Sequence, residues 1–151
     1  MSQPTEQRQA LTAIVFSNAG HSFSHMFTLL YATAVLYLPK VFDLPYGELL
    51  GLSSLGLVLF GLAALPAGWL GDRWSQIGMM VIFFIGVGVG SIIVGMAGGP
   101  DGLFIGLTLI GLFASIYHPV GIAWLVRDSE NRGKALGISG FFGAAGVASA
   151  P

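Results

Sequence analysis

Two histidines, His21 and His25, lie four residues apart in the stretch NAGHSFSHMFTLLY, residues 18–31. No Asp, Glu, Lys or Arg surrounds them from residue 9 to residue 39. Imidazole titrates near neutrality, so modest changes in solvation switch its charge. Asn18, His21, His25 and Thr28 follow i, i+3, i+7 and i+10, which puts them on one stripe of a helix. The rest of that helix is mostly Leu, Val, Phe and Ala, and a polar stripe on such a helix faces protein or water rather than lipid. A third histidine, His118, stands immediately before Pro119. Two chemistries compete for these rings. In one, they take up a proton or hold an anionic substrate. In the other, each is a neutral ring hydrogen-bonded to a carbonyl or hydroxyl, stiffening the packing. For His118 the second has a specific cause: Pro119 lacks an N–H, and the carbonyls this frees need donors.

The elements that must position these rings follow from composition. The chain is 54% hydrophobic and 9% charged, with mean hydropathy +0.81. A soluble domain carries about 25% charged residues. Charge-free windows cover residues 9–39, 49–71, 74–100, 102–126 and 135–151. The first four each exceed the roughly 20 residues of helix that cross a hydrocarbon core. The expected fold is an all-α membrane protein, one transmembrane domain over residues 1–151, with four complete transmembrane helices and the start of a fifth. The expected helices are 11–38, 47–70, 78–97, 103–126 and 135–151. The first window is too long for a signal-peptide core and reads as a retained span. Since none of these windows contains Asp, Glu, Lys or Arg, the histidines are the only conventional proton carriers at depth.

Arg8, Arg73, Arg127, Arg132 and Lys134 fall on one side of the alternating connections and only Lys40 on the other. The positive-inside rule then puts the N-terminus in the cytoplasm, and the chain in the inner (plasma) membrane with the lipid bilayer as its solvent. His21 lies roughly 15 Å above the cytoplasmic end near Leu11, and His118 roughly 12 Å above Val126. No cysteine means no disulfide and no thiolate metal site, and no metal is expected. The run GVGVG, residues 86–90, lacks the strand–turn–helix context of a nucleotide loop, so no cofactor is expected. There is no basic patch to bind nucleic acid.

Three stretches carry a family resemblance. Gly68, Leu70, Asp72 and Arg73, in GWLGDRWSQIG between the second and third spans, resemble the loop signature of the major facilitator superfamily. That family usually continues with Gly and two basic residues; here Ser75, Gln76 and Ile77 stand instead. The resemblance implies that Gly68, Asp72 and Arg73 help set the inward/outward balance. Asp72 would sit near the start of the third span, where the helix dipole favours a carboxylate, with Arg73 pairing with it or with lipid phosphate. GISGFFGAAGVASAP is similar to the superfamily's antiporter signature through Gly137, Gly146 and Pro151, with Ala150 where Gly is usual. Physically, Gly137, Gly140, Gly143 and Gly146 would form a close-packing face, and Pro151 would bend the helix. SIYHPVGIAWLVR together with GHSFSHMF is similar to the fosmidomycin-resistance branch.

The resemblance implies part of a six-helix N-terminal bundle, with spans one and four lining a central cavity where the histidines converge. Secondary transporters bind substrate at such a place. It also implies proton-coupled efflux of a small-molecule substrate, in partnership with a C-terminal half beyond this chain. Two alternatives carry other chemistry. GISG, residues 137–140, matches the Gly-x-Ser-Gly of rhomboid-like intramembrane proteases, with Ser139 as nucleophile and a buried histidine as base. A small four-span dimeric exporter would fit the length, but it relies on a carboxylate in the first span, which this chain lacks.

Overall fold

A computed structural model describes residues 3–150. Among them there are helices and turns, and no strand. The first helix, α1, runs Gln3–Ala34 and is followed by the short α2, Pro39–Phe42. Next come α3 (Tyr46–Gly51), α4 (Ser54–Leu62) and α5 (Ala64–Arg73), then α6 (Gln76–Gly95) and α7 (Pro100–Ala114). A π-helical turn at Tyr117–Gly121 leads into α8 (Ile122–Asp128), and α9 is Arg132–Ser149.

Several boundaries differ from the sequence expectation, each for a local reason. The first helix ends at Ala34, not residue 38, through turns in which Leu36 and Tyr37 bond back three residues, to Thr33 and Ala34. Pro39 then opens α2 at its first helical position, where the missing N–H costs nothing. The expected second helix, 47–70, is three pieces. Its main break, at Ala63, bends the chain by 42°. Pro66 is the cause: it cannot donate to the carbonyl of Leu62, and its ring clashes there. The fifth helix closes at Ser149 with Ala150 extended, and Pro151 lies outside the described residues.

Two helical stretches are long and apolar enough to cross a membrane, Gln76–Gly95 and Pro100–Asp128, with a third if the bent pair Tyr46–Leu62 and Ala64–Arg73 counts as one. That is fewer than the four-plus-one expected. With 32 residues α1 has the length, but Asn18, His21, His25 and three serines dilute its apolar character. In α9 the dilution comes from Arg132, Lys134 and its glycines.

The core explains where α1 sits. One buried cluster joins Ala13 of α1 to Ala67, Met80, Phe83, Tyr117, Val120 and Trp124. A second joins Tyr31 and Val35 to Leu49, Leu103 and Leu107. Two hydrogen bonds pin α1 along its length: Ser17 donates to the Gly121 carbonyl (3.0 Å) and the Tyr31 hydroxyl to the Leu49 carbonyl (2.6 Å). Both leave α1 tied by polar contacts that lipid could not supply.

Candidate functional site

The three histidines meet. Ring centroids are 5.1 Å apart for His21 and His25, 5.5 Å for His21 and His118, and 5.4 Å for His25 and His118. Helical spacing sets the first pair side by side on α1. The π turn presents His118 to them. His21 and His25 are half-buried and His118 is exposed, with Phe60 set edge-on to it at 6.2 Å.

His21 is the anchored ring. Its Nδ1 is 2.9 Å from the Ser139 hydroxyl of α9, which is 3.4 Å from the Tyr117 hydroxyl. Tyr117 stacks on it at 5.0 Å. Gly143 covers it from α9: a Cβ there would lie 2.6 Å from Nε2, 2.7 Å from Cε1 and 2.9 Å from Cδ2. These near-equal distances put Gly143 over the ring's face, because an in-line approach to Nε2 would leave the carbons distinctly farther away. No hydrogen bond joins the rings of His25 or His118 to another described residue. The structural burden expected at His118 therefore falls on His21. The proline is accommodated by the π turn, where Val120 N–H donates to the Ile116 carbonyl at 3.1 Å.

The other members of the stripe divide. Thr28 turns back on its own helix, its hydroxyl 2.7 Å from the Ser24 carbonyl and 3.1 Å from that of His25. Asn18 is 4% exposed, with an unpartnered Oδ1, in the wall of a cleft of about 810 Å³. That cleft lies between the start of α1 and the α8–α9 connection, with Asp128, Glu130 and Lys134 around it.

The loop signature is arranged differently from expectation. Asp72 and Arg73 close α5, and α6 is capped by Ser75, whose hydroxyl accepts from Gly78 N–H at 3.0 Å. Asp72 thus lies at the negative end of one helix rather than the positive end of the next. Arg73 suits that end, and its guanidinium sits 4.8 Å over the Trp69 ring rather than on Asp72. Leu70 is exposed. Gly68 has a packing role no charge pattern reveals: a Cβ there would be 3.1 Å from Pro119 Cβ, beside His118. Asp72→Asn in the full-length protein should lower transport more than expression, since the exposed carboxylate holds nothing in this fold. Unchanged flux at matched protein level would reduce Asp72 to a topology charge.

On α9 the four glycines do not share one face. A three-residue step turns a helix by about 300°, so each glycine falls roughly 60° behind the last. Gly143 and Gly146 press on His21 and on the Ser22 backbone of α1, while Gly137 and Gly140 face open space. The facing set is Ser139, Gly143 and Gly146, tied further by Ser22 donating to the Phe142 carbonyl at 2.7 Å. The serine–histidine contact that a protease would need is present, but Ser139 is 1% exposed, sealed between α1 and α9.

A bundle of apolar helices closed around a polar cluster is the architecture of a membrane protein. Residues 12–151 match the Major Facilitator Superfamily, and the chain belongs to that family of membrane transporters. No curated protein and no solved structure matches it.

Proposed function

We propose that the chain forms most of the N-terminal bundle of a proton-coupled secondary transporter that exports a small organic molecule by alternating access. The observation carrying this reading is the convergence of His21, His25 and His118, whose ring nitrogens lie within 4.8 Å of one another in helices that carry no Asp, Glu, Lys or Arg at that depth. A site of this kind changes charge with modest changes of solvation, which is what alternating exposure to two aqueous phases imposes. The four-plus-one arrangement of spans belongs to this proposal. Here α1 and α9 are spans whose polar faces are covered by one another and by a second bundle in the intact transporter. Efflux and the fosmidomycin-resistance branch rest on the motif resemblance. Flux driven by an imposed pH gradient in proteoliposomes of the full-length protein tests it; flux indifferent to that gradient sinks it.

The proposed topology has its own test. Reporters fused at Ser75 and Glu130 should be cytoplasmic and those at Asp43 and Asp101 external, following the five-to-one split of basic residues. An external signal at Ser75 would invert the arrangement and move the inner-membrane orientation with it.

A further inference from the structure

We infer that His21, His25 and His118 form a binding site for a divalent transition-metal ion of the Zn²⁺ class, held by three imidazoles with a fourth position open. One ring nitrogen from each residue lies within 4.8 Å of those of the other two. Around Zn²⁺, with Zn–N near 2.0–2.1 Å, tetrahedral nitrogens stand about 3.3 Å apart. Small ring rotations close the difference, and His25 and His118 have no hydrogen bond to break in making them. His21 and His25 supply the helical i, i+4 pair that chelates zinc in helix-borne sites. His118 adds the third donor from a separate element.

The surroundings of His21 are those of a metal ligand. With an ion on Nε2, Nδ1 keeps its proton and donates to the Ser139 hydroxyl at 2.9 Å. Such a partner behind the ring fixes its tautomer and orientation. Tyr117 on one face and Gly143 over the ring hold its plane, and neither blocks the in-plane approach to Nε2. The donor set selects the ion. Three imidazoles without carboxylate or thiolate suit Zn²⁺, Ni²⁺ or Cu²⁺, whereas Mg²⁺ and Ca²⁺ demand oxygen ligands. Exposure of His118 leaves the fourth position uncovered by the described residues.

The site does not depend on the rings carrying protons during transport, and its test does not use flux. Tag-free full-length protein in detergent is titrated with Co²⁺ and then with Zn²⁺. The expected result is one Co²⁺ per chain with the intense visible absorption of a tetrahedral ion, displaced by an equivalent of Zn²⁺. Zinc-edge X-ray absorption should fit three imidazole nitrogens at about 2.0 Å. Ser139→Ala should weaken Co²⁺ binding by about tenfold, as loss of the group behind a ligand does, and His118→Gln by more. His118→Gln is the safer variant for folding because its side chain is exposed and holds no hydrogen bond. Only weak octahedral absorption in the wild type would overturn the site without recourse to any variant. So would a tetrahedral signal that His118→Gln leaves unchanged in strength and affinity.

Discussion

His25→Ala in the full-length protein should abolish the stimulation of transport by an imposed pH gradient while leaving substrate binding at fixed pH at least partly intact. Its ring stands 5.1 Å from His21 and 5.4 Å from His118 and makes no hydrogen bond to a described residue. Removing it takes one imidazole out of the cluster and breaks no hydrogen bond to a described residue. A coupling free energy of ~1–3 kcal/mol corresponds to a loss of stimulation of roughly 5- to 150-fold. His21→Ala should abolish the stimulation too, but with a second cost. It strips Ser139 of a hydrogen-bond partner and Tyr117 of a stacked ring and opens a gap under Gly143, so a drop in thermal stability of about 1–3 kcal/mol accompanies it. The comparison is proton-driven flux in proteoliposomes beside thermal unfolding of each variant. If both variants keep full gradient-driven flux and only His21→Ala loses stability, the rings are packing elements and the proton reading fails.

Gly111→Val should be the most damaging single substitution to the fold. At the crossing of α4 and α7, a Cβ on Gly111 would overlap the carbonyl oxygen of Gly56 and lie 2.6 Å from the Gly56 Cα. A Cβ on Gly56 would in turn press on the Leu107 carbonyl, 3.1 Å from its carbon. Both obstacles are backbone, which cannot swing aside as a side-chain tip can. Between helices in lipid, close backbone approach is itself the main source of attraction, so the crossing loses its contacts as well as gaining a clash. We expect a loss of about 3 kcal/mol or more, at the upper end of overpacking costs. Gly88→Ala is the control, with nothing within 4 Å of the added carbon. Thermal unfolding in detergent should separate the two sharply. Equal melting points would mean that α4 and α7 do not cross this closely.

What could be read from the sequence was whatever depends on neighbours along the chain. The i, i+4 spacing of His21 and His25 made their adjacency a matter of helix geometry, and charge-free windows located the apolar helices. The meeting with His118 was expected only through the family's arrangement of spans, since periodicity in one helix says nothing about which helix faces it. The tie between His21 and Ser139 spans 118 residues and has no local signal. The spacing of Ser139, Gly143 and Gly146 was its only trace, and it was masked by the more regular run of glycines every third residue. Pro66 was visible, and its effect on the helix from 47 to 70 follows from an elementary rule. Hydrophobicity is continuous across it, however, and a pattern of apolar residues does not register a missing hydrogen bond. Arg73 went to Trp69 because the two stand four residues apart on one helix face, whereas consecutive residues such as Asp72 and Arg73 point about 100° apart.

The wide turn at Tyr117–Gly121 acts as a dislocation in an otherwise regular rod. A π turn holds one residue more than the α-helix around it, and one residue is worth roughly 100° of rotation. The segment after it is therefore out of phase with the segment before, and both phases are in use. Ile110 and Ala114 are buried on one side of it, Trp124 and Leu125 on the other. Deleting a single residue from this turn would restore a uniform helix and force a choice between those two faces. Either Trp124 would swing out of the core or His118 would swing away from α1. Gain or loss of the three-ring cluster would then turn on the insertion or removal of one codon, with every histidine left in place.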